Sequence, residues 1–256
     1  ITVIATLLGV PETDLDRFHR WSDGVVAGFH ADGRRLAQPL RSIVAVLAMH
    51  RYMRTVFANL RRHPGDDIIS AMLASRDGGS VSDQELFWLS LMLLVAGNET
   101  TTNLIGSLLV ALAENPASYE RLRSDPALID AAIEEAVRWG SPVQHLYRTA
   151  VADYTVGSTM IPAGSRVLLL FGAANRDPRK YPKPDVFDID RNPSDHVGFG
   201  SGVHHCLGAK LARLETRVVL EELLPRVRRI NTLGPVVWRT NPTVHGPQRL
   251  PLRLEC

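Results

Sequence analysis

Residues 196–213, HVGFGSGVHHCLGAKLAR, bring glycines and histidines together around Cys206, one of two cysteines in the chain. Gly200 and Gly202 precede it and permit left-handed backbone and the close approach of a bulky partner. A helix is expected from Leu207 onward, and a thiol at a helix N-terminus meets free amide donors and the positive end of the dipole, which favours the thiolate. Such a thiolate, with open glycine loops on one side, suits a flat metal cofactor, and Gly208 would let the ring approach the helix. A buried, inert cysteine is the plainer alternative. A zinc site at His204, His205 and Cys206 is disfavoured because adjacent residues rarely converge on one tetrahedral ion, and no CxxC partner exists. A cysteine nucleophile with His204 or His205 as base lacks the surrounding signatures of reactive-cysteine enzymes.

Two further constellations carry chemistry. In AGNETT, residues 96–101, Ala96 and Thr100 are four apart on one helix face, and Glu99 flanks them. Ala96 and Gly97 leave a low spot, and Glu99 with Thr100 offers an acid and an alcohol there, a short proton relay. The competing reading is a solvated patch, or a kink with the Thr100 hydroxyl bonded back to the Ala96 carbonyl. In EEAVRWGSP, Glu135 and Arg138 stand three apart on one helix. Taken alone they are a surface ion pair contributing about 0.2–0.5 kcal/mol.

These groups need elements to hold them. Apolar residues recur at helical spacing over residues 11–24, 36–62, 66–74, 82–115, 117–123 and 126–139. Stops are expected at Gly24, Gly78–Gly79, Asn115–Pro116 and Gly140–Ser141–Pro142, and Ser82 with Glu85 forms a capping box. Beyond Pro142, β-branched residues and glycines predict short strands with turns near Val156–Gly157 and Pro162–Gly164. Residues 175–202 read as an ordered, irregular meander, 208–229 as a helix, and the tail as a loop and a short strand. The expected class is mainly α with a minor β part, helical over residues 1–142 and mixed over 143–256.

Composition narrows the function classes. Hydrophobic residues make up 45% and charged residues 22%, ordinary for a globular chain, and a net charge of +2 gives no argument for a nucleic-acid partner. The apolar run of residues 86–113 is broken at mid-span by GNETTTN, too polar for lipid, so no membrane association is expected. Two cysteines fit a reducing, cytoplasmic setting. The opening ITVIATLLGV has neither an initiating methionine nor a basic leader; it reads as the middle of a domain, with an N-terminal portion expected before it.

Jointly the motifs resemble the cytochrome P450 family of haem-thiolate monooxygenases. FGSGVHHCLG, residues 199–208, fits the family's FGxGxHxCxG signature at every defined position. AGNETT fits its central-helix motif, Glu135 and Arg138 its ExxR pair, and ANRDP and PDVFDIDR its meander, all in the family's order. The chain is thus identified as the C-terminal portion of a single P450 domain of the soluble bacterial type.

The resemblance implies roles residue by residue. Cys206 would ligate the iron of haem b, its electron donation favouring O–O cleavage. Phe199, Gly200 and Gly208 would pack around the ring, and His204 and Arg148 would bind its propionates. Glu99 and Thr100 would deliver protons to dioxygen, for which Ala96 and Gly97 make room; this pair favours the O2 route over a peroxide route. Glu135, Arg138 and Arg191 would form a structural charge triad. Leu93, Val143, Gln144, His145, Leu146, Thr243 and Val244 would line the substrate site, with Gln144 and His145 available to a polar group. The implied function is hydroxylation or epoxidation of a small hydrophobic organic substrate. Electrons would come from NAD(P)H through a ferredoxin and its reductase, with Lys210, Arg213 and Arg217 docking the ferredoxin. The alternative is a truncated haem-binding or apo remnant without activity.

Overall fold

The computed structural model describes residues 2–29, 37–74 and 81–256. They fall into two compact units, residues 1–99 and 100–256.

The first unit contains α1 (Thr2–Leu7), α2 (Leu15–Phe29), α3 (Ala37–Arg62), α4 (Ile68–Ala74) and the first part of α5 (Asp83–Glu114). Phe18, Met49, Met53, Phe57 and Ile69 are buried in it. Helix α2 does not stop at Gly24 but runs through it. The reason is packing: a Cβ at Gly24 would lie 2.7 Å from the Ala45 Cβ, so this glycine lets α2 and α3 come close. The expected stop at Gly78–Gly79 lies outside the described residues. The capping box is formed: Glu85 Oε2 accepts from the Ser82 N–H at 2.9 Å, and the Glu85 N–H donates to Ser82 Oγ at 3.2 Å.

The second unit holds the remainder of α5, α6 (Pro116–Ser124), α7 (Ile129–Gly140), a short α8 (Phe171–Asn175) and α9 (Ala209–Leu223). Ile129, Ala132, Ile133, Ala136 and Val137 repeat at helical spacing along α7, and this stripe is buried against Leu104, Leu108, Phe187 and Leu220. Antiparallel pairs join β1 (His145–Thr149) to β4 (Arg166–Leu170), β2 (Tyr154–Val156) to β3 (Thr159–Ile161), β5 (Arg229–Thr232) to β8 (Leu252–Glu255), and β6 (Val237–Trp238) to β7 (Pro247–Arg249). The expected turns are present, with Gly157 at φ +59° and Gly164 at φ +81°.

Two elements of this unit differ from expectation. Helix α9 ends at Leu223, and Arg229 enters β5 instead, pairing with Glu255. Helix α9 also starts at Ala209, so Cys206 sits in the turn before it and its carbonyl accepts the Ala209 N–H at 3.2 Å. Helix α8 interrupts the strand-rich region, where Gly172 fits under Gln144. The architecture is mainly α with a minor β part. No helix among the described residues is long and apolar enough to cross a membrane.

Candidate functional site

The cysteine loop hangs between the meander and α9. Its entry is pinned by Asn175, whose Oδ1 accepts the Val197 N–H at 2.9 Å. Gly198 fits tightly against α7, where a Cβ would lie 2.5 Å from Val137 Cγ1. Gly200 (φ +71°) and Gly202 (φ +64°) then reverse the chain in the left-handed region that glycine tolerates. The Gly200 N–H donates to the Val197 carbonyl at 3.0 Å, and the Cys206 N–H donates to the Phe199 carbonyl at 2.8 Å. These bonds set the cysteine back against Phe199 while leaving it exposed.

The loop around Cys206 is exposed, and it carries two outward apolar side chains beside His204 and His205. Val203 is 99% exposed and Leu207 is 84% exposed. Gly208 has an ordinary φ of −84°, so its backbone does not demand glycine. A Cβ there would face the Cys206 Sγ at 4.0 Å, an ordinary contact. The missing side chain therefore keeps the cysteine's surroundings low. His204 ends the turn Gly202–His204 and is exposed. Arg148 lies on β1, where its guanidinium donates to the Tyr147 carbonyl at 2.9 Å.

Glu135 and Arg138 are both fully buried and joined by two hydrogen bonds of 2.7 Å, Arg138 Nε to Oε2 and Nη2 to Oε1. Arg138 Nη1 also donates to the carbonyls of Asn175 (2.8 Å) and Pro184 (2.9 Å). Arg191 Nε and the Asp188 N–H both donate to Glu135 Oε1, at 3.1 and 2.9 Å. The triad expected from sequence is thus assembled, and it ties α7 to the meander that leads into the cysteine loop. It is a buried network, unlike the surface pair that spacing alone suggests.

Two of the candidate lining segments meet. Val143 bridges Val244, the Gln144 N–H donates to the Thr243 carbonyl at 2.7 Å, and His145 Nε2 lies 3.3 Å from Thr243 Oγ1. Gln144 faces inward: its Nε2 donates to the Ser141 carbonyl at 2.7 Å, so this amide is spent on the backbone. Leu146 is exposed on β1. On α5, Leu93, Gly97, Glu99 and Thr100 are partly buried, and Ala96 is exposed. The open side of Gly97 is taken up by Ile4 of α1, which a Cβ would meet at 2.7 Å.

A second ionic cluster was not anticipated. Glu134 accepts from Arg213 through Nε (2.5 Å) and Nη2 (2.9 Å), and its Oε2 lies 3.0 Å from His196 Nε2. Partial burial opposes its ionisation, yet the hydrogen bonds from Arg213 and His196 outweigh this and hold its pKa at about 2. The signal in the sequence was Glu134, the first glutamate of EEAVR, which helical geometry turns about 100° away from Glu135.

Comparison with known proteins agrees with this layout. A family model described as Cytochrome P450 matches residues 44–228. The beta-dihydromenaquinone-9 omega-hydroxylase of Mycobacterium tuberculosis is 42% identical over 251 residues, covering 96% of this chain and 51% of that protein. Cytochrome P450 107B1 of Saccharopolyspora erythraea is 40% identical over 258 residues, covering 99% of this chain and 62% of that protein. Substrate-free CYP109E1 from Bacillus megaterium superposes with a TM-score of 0.93 at 38% identity, covering 99% of this chain and 67% of that structure. The chain spans about half to two thirds of the length of these relatives. With the cysteine loop, the buried Glu135–Arg138–Arg191 triad and the fold all in agreement, the chain belongs to the cytochrome P450 family.

Proposed function

We infer that this chain carries the thiolate-ligand part of a haem-dependent monooxygenase, in which Cys206 would hold the iron of haem b. One observation supports this most strongly: an exposed cysteine held by its own amide in a loop that also exposes Val203 and Leu207 and has the bare Gly208 beside the sulfur. That surface fits a flat, largely apolar group with a soft metal at its centre. When bound, the haem supplies activation of O2 with two electrons from a redox partner.

The chain's own residues do the rest. The Phe199 carbonyl orients Cys206 through its amide. His204 and Arg148 would supply hydrogen-bond donors for the carboxylate edge of the ring. Glu99 and Thr100 would move protons from solvent towards O2; the exposed Ala96 is the small residue that would leave room beside them, while Gly97 is packed against Ile4. Val143, His145, Leu146, Thr243 and Val244 form a substrate wall that is mostly apolar, with the His145–Thr243 pair as its polar point. Gln144 braces the start of this segment through its bond to the Ser141 carbonyl, and Leu93 is proposed separately as a lining residue of α5.

The substrate class is small, hydrophobic and organic. The mycobacterial relative is an omega-hydroxylase of beta-dihydromenaquinone-9, and CYP109E1 is described in complex with testosterone; both molecules are predominantly apolar. A ferredoxin fed by a reductase is the proposed electron source. Of the three cations expected to dock it, Arg213 is paired with Glu134 and Arg217 with Asp130, while Lys210 is exposed.

The test is a titration of the chain with haem, followed at the Soret band, beside Cys206→Ala. A saturable band in the wild type that weakens or moves in the variant supports the assignment. Equal spectra in both would remove Cys206 from the site. Incorporation of one labelled oxygen from O2 into an apolar product then separates a monooxygenase from a haem-binding remnant.

A further inference from the structure

We propose that Glu134 is a positioning residue for the cysteine loop: its carboxylate staples the start of the loop to the helix beyond it and holds Phe199 in place. The functional half of this rests on the haem-thiolate reading above; the structural half does not.

The geometry is specific. His196 stands at the loop's entry and Arg213 on the second turn of α9, so the two ends of residues 196–213 converge on one carboxylate. His196 Nδ1 accepts the Gly198 N–H at 3.1 Å. The ring proton therefore sits on Nε2, where it donates to Glu134, and the imidazole is fixed in one tautomer. The Arg213 guanidinium lies 4.4 Å from the centre of the Phe199 ring, and the His196 ring is 5.7 Å from it. Both of these Phe199 neighbours are bound to Glu134. Phe199 in turn offers the carbonyl that receives the Cys206 N–H.

An incidental surface pair would be exposed and mobile. Here the side chain of His196 is 3% exposed and that of Glu134 is 16% exposed. Arg213 engages both carboxylate oxygens, the fork geometry that fixes direction as well as distance. The two adjacent glutamates of α7 thus divide the work. Glu135 anchors the meander, and Glu134 anchors the loop that follows it.

Amide hydrogen exchange on the full chain tests this. In Glu134→Gln the amides of Gly200 and Cys206 are expected to exchange about tenfold faster or more, with amides in the β1–β4 pair unchanged. Arg213→Lys keeps the charge but loses the fork and the stacking, and is expected to loosen the same two amides. If Glu134→Gln loses helix content as a whole, Arg213→Lys decides. In the haem-loaded, reduced, carbon-monoxide-treated protein, both variants are expected to show a larger share of the form lacking the thiolate-type red shift. Unchanged exchange at Cys206 in both variants would overturn the proposal. A wild-type chain without any red-shifted form would refute the haem reading alone, and the exchange data would still judge the staple.

Discussion

Arg138 meets Glu135 through two parallel hydrogen bonds of 2.7 Å, with neither side chain exposed to solvent. The remaining Arg138 donors reach the carbonyls of Asn175, Pro184 and Val186, so one guanidinium organises the inner side of the meander. Replacing it with an apolar residue leaves the buried Glu135 with only Arg191 and the Asp188 N–H on one oxygen, and strips the Asn175 and Pro184 carbonyls of their Arg138 donor. Arg138→Met is expected to cost about 3–5 kcal/mol of unfolding free energy, read from the urea midpoint at unchanged m-value. A loss below about 1 kcal/mol would mean that the network is not stabilising.

Glycines in the second unit should separate strain from crowding. Gly157 has φ +59° with open space where a side chain would go, so Gly157→Ala meets only backbone strain of about 1 kcal/mol. Gly246 has no such φ, but a Cβ there would lie 2.4 Å from both Cβ and Cγ of the buried Asn103. Gly246→Ala is expected to destabilise more, by about 1–3 kcal/mol or above. Thermal melts of the two variants in parallel give the order directly.

The depressed Glu134 pKa makes an acid-range prediction. The folded value of about 2 lies below the ordinary 4.5, so ionised Glu134 stabilises the fold. That contribution is complete above the unfolded value and disappears as pH falls from about 4.5 towards 2. Glu134→Gln should therefore lose stability relative to wild type at pH 6, with the gap narrowing on acidification. A gap that stays constant down to pH 2 would contradict the assignment.

Thr100 carries the proposed proton transfer with Glu99. Once loaded and supplied with electrons, Thr100→Ala should consume reductant at a near-normal rate but form about tenfold less product per electron, with hydrogen peroxide making up the balance. Thr100→Ser, which keeps the hydroxyl, should retain coupling. Fully coupled turnover in Thr100→Ala would remove it from the relay.

Elements with a strong local signal were legible from the sequence. The capping box at Ser82 and Glu85, the turn glycines 157 and 164, and the stripe on α7 all act through neighbours in sequence, so local pattern sufficed. Misreadings arose where distant chain decides. Gly24 looked like a helix stop because only the packing of α3 shows why a glycine is needed there. The α9 boundary was missed because Arg229 gains its strand partner, Glu255, from the far end of the chain. At the site, the contacts of Glu135 with Arg138 and Arg191 could be expected from the family resemblance, which is also the ground for proposing Cys206. The Glu134–His196–Arg213 cluster could not, since each member alone is an ordinary polar residue and only folding brings them to one carboxylate.

The most direct measurement is the absorption spectrum of the haem-loaded chain after reduction and addition of carbon monoxide. Thiolate ligation by Cys206 predicts a Soret band shifted to the red, which Cys206→His abolishes. A band at the position of histidine-ligated haem in the wild-type chain, or no haem band at all, would contradict the account.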